Sequence, residues 1–579
     1  MTTGSQLDDI AQSFRRALLQ RDTRAIQKLV QAYGKVYLAV QQELQQLAED
    51  RNHLRRERLV RLRQQIIDAL AEFAREADDI VQSLQMSGLS IGWDNAASLA
   101  ATAGIRLAGD VDRLPREALS AMVGILADGS PVRSVLARMG EAVANAVIGA
   151  LETSVTIGRS SARTAEEIRK IMGTSLQRAL TIARTEHMRA YRYATLERYR
   201  TIDAVTGWQW RAAPSDRTCV SCLALDGHVF SLHQSFPGHP NCRCTMIPVV
   251  DGAVPDRLYG ADWFAQQPAS VQRRILGPTL FERYRAGDVA LNDIVGIRND
   301  PIWGRQVRQR SLADLEMMLI ERAQTAEMIR RQLISESDRF VERIREISAA
   351  ITRLFDRLDD RRDPDHVRRQ LLDEIGELEQ ERTDLFRTHK QQLTNILQVH
   401  QPMQAQFIFT ATHGDDWERR VRRGIDGFCS LVSGTRTAVQ IIPLPSGERA
   451  YYRHQAIFLP PEVMPKTVVH ELGHWLEDIH AGIRERARMF LRRRTMAETP
   501  VPLTSYNPAY SDHELTRPDQ FLDPYMGKVY ERDGKIYATE IVSMGLELLY
   551  ADPVMLAKND PEYFRFIVTL GRDDAIDQN

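Results

Sequence analysis

Two imidazoles and a carboxylate stand at the spacing of a zinc hydrolase in Val468-Val469-His470-Glu471-Leu472-Gly473-His474-Trp475. On a helix, residues four apart project from one face, so His470 and His474 can both reach a single Zn²⁺ while Glu471 flanks its open position. Zinc lowers the pKa of a coordinated water towards about 7. Glu471 can then take the proton as the water attacks a carbonyl and pass it to the leaving amine. Peptide-bond hydrolysis, with a peptide or protein substrate, is the reaction this layout suits. His513, Tyr525 and Tyr530, all between the motif and the next helical stretch, are candidate donors to the carbonyl oxygen.

A catalytic zinc takes three protein ligands, so a third must be found. His480 completes a metzincin-like spacing, but those enzymes carry a turning glycine where this chain has Glu477. A helix running on from Trp475 to Leu491 would carry His480 about 15 Å along its axis from His470, out of reach. Glu540, in Tyr537-Ala538-Thr539-Glu540-Ile541-Val542-Ser543-Met544-Gly545-Leu546-Glu547, sits in a stretch with helical periodicity. This resembles the gluzincin plan, in which a downstream glutamate completes the site, and Glu540 is preferred. Upstream, residues 437–442 and 451–459 are expected as strands around a Pro-Ser-Gly-Glu turn.

Four of the five cysteines form a second cluster, Cys219-Val220-Ser221-Cys222 and His239-Pro240-Asn241-Cys242-Arg243-Cys244. These are five soft donors for a four-coordinate ion, which points to structural zinc. Disulfides compete, but residues 1–20 lack the apolar core of a signal peptide, so a reducing compartment is expected. Cys219, Cys222, His239 and Cys244 are the preferred ligands, with Cys242 as the spare. The segment opening at Trp208 and Trp210 is expected to have little regular structure, with zinc replacing a missing hydrophobic core. Cys429 is expected as a buried apolar thiol.

Ile182-Ala183-Arg184-Thr185-Glu186, Trp208, Asp216-Arg217-Thr218-Cys219-Val220-Ser221-Cys222, Leu225-Asp226-Gly227 and the His239 to Cys244 run resemble, in order and spacing, the phage Mu F-like minor head protein family. The resemblance spans roughly residues 90–300, and includes Trp263-Phe264 and Ile275-Leu276-Gly277-Pro278. It implies a minor head component of a tailed phage or prophage, in the virion near the portal and in the host cytoplasm during assembly. Portal and capsid proteins are the implied partners. The zincin-like, gluzincin-type metallopeptidase region lies outside that pattern and reads as a fused domain.

A chain of 579 residues with 26% charged and 43% hydrophobic residues suits about three to four globular, mainly helical domains. A net charge of −1 argues against a general nucleic-acid binder. Local arginine patches at residues 51–63 and Arg492-Arg493-Arg494 could still touch packaged DNA. The most apolar stretch, residues 142–157, is interrupted by Asn145 and Glu152, which favours a core helix over a membrane span. The expected fold is multidomain and mainly α. It comprises an N-terminal helical region (1–88), a helical part (89–200) with breaks at residues 88–95, 109–110, 128–131 and Gly173, a Cys/His zinc-binding part (201–310), a coiled-coil hairpin (311–400) with Met317 and Met318 in its seam, and an α+β zincin-like domain (401–579). Three functions share these residues: a head protein with an active peptidase, a structural head protein with an inactive zincin-like domain, and a delivered protease effector. Retention of Glu471 favours the first, since a binding-only site needs no base there.

Overall fold

A computed structural model of the chain describes residues 3–49, 56–105, 119–120, 122–156, 161–250, 259–358, 364–434, 438–453, 456–532 and 535–572. The chain is mainly helical and divides into two compact units. Met1–Phe264 with Val295–Gln309 form one, and Ala265–Ile294 with Arg310–Asn579 the other. The expected segment 201–310 is therefore shared between them.

In the first unit, α1 (Thr3–Glu49), α2 (Arg56–Thr102), α3 (Val132–Thr156) and α4 (Ser161–Arg200) form a bundle. Its logic is visible in α1, where Leu18, Asp22, Ala25, Leu29, Tyr33, Val36 and Val40 recur three or four residues apart and are all buried. Helix α2 runs unbroken through residues 88–95, contrary to expectation. The glycines there serve packing: a Cβ on Gly88 would meet the His187 carbonyl oxygen at 2.5 Å, and one on Gly92 would collide with the Tyr191 carbonyl. Gly173 does not break α4 either, because a lone glycine costs a packed helix only about 1 kcal/mol. The turn at Asp128-Gly129-Ser130 is present, with Gly129 at φ 82° and Asp128 accepting from the Ser130 N–H at 2.9 Å. The break at 109–110 lies outside the described residues. The stretch Val132–Thr153 is long and apolar enough to cross a membrane, and half of it is buried in the bundle.

The cysteine-rich segment is more ordered than expected. Strands β1 (Val205–Arg211), β2 (Val229–Ser231) and β3 (Thr245–Val250) form an antiparallel sheet in the order β2-β1-β3, with a short helix α5 (Val220–Leu225). Trp208 and Trp210 project to one face of β1 and are fully buried, stacking on Phe230 and Phe236 at 4.4 and 4.0 Å respectively. A hydrophobic core is therefore present, and zinc need not substitute for one. The hairpin β4 (Val295–Asp300) and β5 (Gly304–Gln309) belongs to this unit.

The second unit opens with α6 (Ala269–Leu276) and α7 (Pro278–Ala286), joined through Gly277 at φ 78°. Helices α8 (Leu312–Leu358) and α9 (Asp365–Leu397) then pair antiparallel as the expected hairpin, with Ile347, Ile351 and Leu354 against Leu371 and Ile375. Met317 is 56% exposed and so is not a seam residue. The C-terminal region is α+β. Strands β6 (Gln406–Phe409), β7 (Ala438–Pro443), β8 (Tyr451–Arg453) and β9 (Ala456–Leu459) give a sheet in the order β6-β7-β9-β8, in which only β8 is antiparallel. Thr437 lies outside the described residues. Around this sheet pack α10 (Asp415–Leu431), α11 (Pro465–Ile479), α12 (Ala481–Arg494), α13 (Ile541–Ala551), α14 (Pro553–Asn559) and α15 (Pro561–Gly571).

Candidate metal centres

Helix α11 begins at Pro465, whose missing N–H costs nothing in a first turn. Val468, Val469, Leu472, Trp475 and Leu476 bury one side of it and leave His470 and His474 on another. Gly473 is the contact point with α13, since a Cβ there would meet Ser543 Cα at 2.6 Å. That approach brings Glu540, the residue capping α13, onto the motif. Its Oε2 lies 3.4 Å from His470 Nε2 and 3.1 Å from His474 Nε2. Bonds of about 2.0 Å to a tetrahedral zinc would separate donors by about 3.3 Å, so two imidazoles and a carboxylate here fit that ion.

The surrounding groups fix these donors. Glu547 Oε2 lies 3.0 Å from His470 Nδ1, which turns Nε2 towards Glu540, and Lys466 holds the other Glu547 oxygen at 3.1 Å. Tyr530 donates to Glu540 Oε1 at 2.5 Å and Ser543 to Oε2 at 2.7 Å. Burial would raise the Glu540 pKa, but His474, His470 and the Tyr530 hydroxyl hold it far below the usual carboxylate range. Burial would lower the His474 pKa, yet Glu540 holds it up at about 9. A cation would replace that proton. Glu471 is buried, which raises its pKa and suits a general base. It lines a cavity of about 620 Å³ together with His470, Arg449, Tyr510, Tyr525 and Glu547.

His470, His474 and Glu540 thus come together, and His480 does not join them. The helix does not run on to Leu491, however. It ends at Ile479, and His480 adopts an extended conformation (φ −116°, ψ 97°) before α12 begins. Of the three expected donors, Tyr525 lines the cavity, Tyr530 is engaged with Glu540, and His513 is exposed and away from the cavity lining. Arg494 of the basic triplet pairs with Asp519 and Asp560 within the unit, and Arg493 with Glu562. In the other patch, residues 51–55 lie outside the described residues and Arg63 donates to Asn145. Glu547 and Gly473 escaped the sequence reading, although Glu547 stands seven residues, two helical turns, from Glu540.

All five upstream donors gather in the first unit. His239 Nε2 lies 3.2 Å from Cys219 Sγ and 3.3 Å from Cys222 Sγ, and the Cys222 and Cys242 sulfurs are 3.8 Å apart. That last value is the sulfur spacing of a tetrahedral zinc with bonds of about 2.3 Å. Cys222, Cys242 and Cys244 also form a close group, so Cys222 is common to both groups and Cys242 lies among the preferred ligands. His239 Nδ1 faces the Pro240 carbonyl at 2.8 Å, leaving Nε2 for the sulfurs. The Cys222 hydrogen bond, with help from His239, draws the Cys219 pKa down to about 5. The loop is clamped by α4: Arg192 donates to the Cys242 and Cys244 carbonyls at 3.0 and 2.8 Å, and Thr185 accepts from the Asn241 N–H at 3.1 Å. Asp22 of α1 binds both His187, at 2.6 Å, and Arg243. Cys429 is half-buried, and burial pushes its pKa up to about 12.

Residues 145–247, which contain this clamp and cluster, match the family described as Phage Mu protein F like protein. The match is narrower than the expected span of 90–300. The chain is also similar to minor head protein GP7 of Bacillus phage SPP1, 28% identical over 140 residues that cover 21% of this chain and 46% of that protein. The chain therefore spans about half the length of that curated relative. No solved structure gives a significant match. The family match stops at residue 247 and does not reach the His470 centre.

Proposed function

We propose that this chain is a minor head protein of a tailed phage or prophage whose C-terminal region is a zinc-dependent peptidase. The head role is supported by the match over residues 145–247 and the likeness to GP7, with portal and capsid proteins as partners and the virion as location. One observation carries the peptidase reading: two separate stretches bring His470, His474 and Glu540 within 4.8 Å of one another beside a cavity that Glu471 lines. Zinc bound by these three residues supplies a Lewis acid and an acidified water. Glu471, at the wall of the cavity, would act as the base that takes a proton from the attacking water and returns it to the leaving amine. Tyr525 and Arg449 face the same cavity and serve as donors to the carbonyl oxygen. Glu547 keeps His470 in the ligating tautomer, while Tyr530 and Ser543 orient Glu540.

The test incubates the purified full chain with candidate phage head proteins, wild type against Glu471→Gln, with zinc content measured for both. Wild type should cleave. The variant should hold the same zinc and lose cleavage by at least about 10²-fold, since general-base catalysis supplies about that much. Equal processing by both would leave a head-assembly protein with a metal-braced domain.

A further inference from the structure

The cavity beside the C-terminal centre is lined by more acid than hydrolysis employs. Glu471 serves as base and Glu547 holds His470 and Lys466, but Glu448, Glu462 and Asp523 share neither task. Their own partners are neutral. Glu462 accepts from the Ser446 hydroxyl, which lowers its pKa, and Asp523 accepts from the Tyr525 N–H at 2.8 Å. No lysine or arginine pairs with any of the three among the described residues. His413 stands near Glu462, with its Nε2 2.8 Å from the Leu444 carbonyl. Arg449, the cation of the lining, acts on Glu471, Tyr510 and Tyr525, and a single guanidinium leaves most of the acidic wall uncompensated. Glu471 gives an independent sign of an occupant. It is 5% exposed and accepts no hydrogen bond among the described residues, so its donor comes from what the cavity admits. Val463 and Met464 continue the wall next to Glu462, and Met464 is 56% exposed.

We propose that this cavity receives a lysine or arginine side chain of a bound peptide. Its placement beside the scissile bond rests on the peptidase reading. Val463 and Met464 suit the aliphatic stem of such a side chain, while Glu448, Glu462 and Asp523 meet its cationic head. An ammonium carries three donors and a guanidinium five, so either serves more than one carboxylate. A glutamate in the same place would be repelled, and a neutral side chain would gain the apolar contact alone. The cavity of about 620 Å³ lies within the range of about 300–1,000 Å³ usual for bound ligands, so a long side chain fits together with its backbone.

Fluorescence anisotropy of the full chain carrying Glu471→Gln, which removes the base, tests recognition apart from turnover. The probes are labelled peptides of one neutral sequence with lysine, norleucine or glutamate at the centre. The lysine peptide should bind about tenfold tighter than the norleucine one, and the glutamate peptide more weakly than either. Glu448→Gln, Glu462→Gln and Asp523→Asn should each cut the lysine preference about threefold, as half-exposed ion pairs do, and leave norleucine binding unchanged. Glu377→Gln, at an exposed position of α9, should change nothing. Quenched versions of the same peptides, given to the wild-type chain, read cleavage separately. Faster cleavage of the lysine peptide at a bond next to the lysine supports the placement, and cutting elsewhere would overturn it. Lysine-selective binding without cleavage of any peptide would sink the peptidase reading and leave the basic subsite standing. A lysine preference within about twofold of norleucine would overturn the subsite. So would a glutamate peptide that binds as well, a preference untouched by all three acid variants, or no binding of the lysine peptide. The norleucine comparison alters only the peptide, so it remains decisive should an acid variant fail to fold.

Discussion

Glu540 closes the C-terminal centre, and its environment explains why a carboxylate works there. It is 1% exposed, so an unpaired charge would be costly. Two imidazoles, a phenol and a serine hydroxyl meet its two oxygens. His480, by contrast, serves as the joint between α11 and α12, its N–H bonded to the Leu476 carbonyl at 3.1 Å. Glu540→Ala should therefore lower bound zinc from about two ions per chain to about one, while His480→Ala keeps both, as read by elemental analysis of the purified proteins. The reverse pattern would move the third ligand to His480.

At the scale of elements, what could be read in the sequence follows from how local each signal is. The pairing of His470 and His474 is a property of one helix turn, and the hairpin of α8 and α9 follows from apolar periodicity broken near Pro364. The cysteine cluster was equally plain. Gly88 and Gly92 read as breaks because composition cannot show what lies opposite; only the approach of α4, about a hundred residues later, reveals them as packing contacts. The end of α11 at His480 has no glycine or proline at the cap itself, and Gly482, two residues on, already lies in the first turn of α12. The aromatic core around Trp208 and Trp210 depends on Phe230 and Phe236, brought in by β2 and the following loop. Gly88→Ala should destabilise the first unit by about 1–3 kcal/mol, through overlap with backbone at His187. Gly173→Ala, which meets nothing within 4 Å, should stabilise it by about 0.5–1 kcal/mol. Urea midpoints of the two variants moving in the same direction would refute this account.

Across the whole molecule, the chain leaves its first unit after residue 264, returns for residues 295–309, and leaves again, so each unit is pinned by contacts distant in sequence. In the second unit the pin is Asp293, buried and paired with Arg322 of α8 at 2.6 Å and with Arg486 of α12. Burial alone would raise its pKa, but Arg486 and Arg322 hold it below the ordinary 3.8. Its folded pKa lies below its unfolded one, so its stabilisation is complete above about pH 4 and is lost as pH falls through the lower folded value. Asp293→Asn should cost about 3–5 kcal/mol near neutrality by leaving two arginines uncompensated, and the gap from wild type should shrink in urea melts below about pH 4. A gap that widens on acidification would contradict the pairing. In the first unit the pin is the Cys/His cluster, whose Arg243 reaches Asp22 of α1 while Arg192 of α4 holds the loop carbonyls. Where a zinc finger without metal unfolds altogether, this unit keeps Trp208, Trp210, Phe230 and the helical bundle as an apolar core. Cys222→Ser should accordingly remove one zinc and lower the melting temperature of the first unit. Tryptophan emission should nevertheless stay blue-shifted at room temperature, because Trp208 stacks on Phe230 of β2 and both indoles are fully buried, although Phe236 comes from the loop that carries the metal donors. A red shift to the position of the unfolded chain would mean that the metal, rather than the aromatic stack, holds the sheet together.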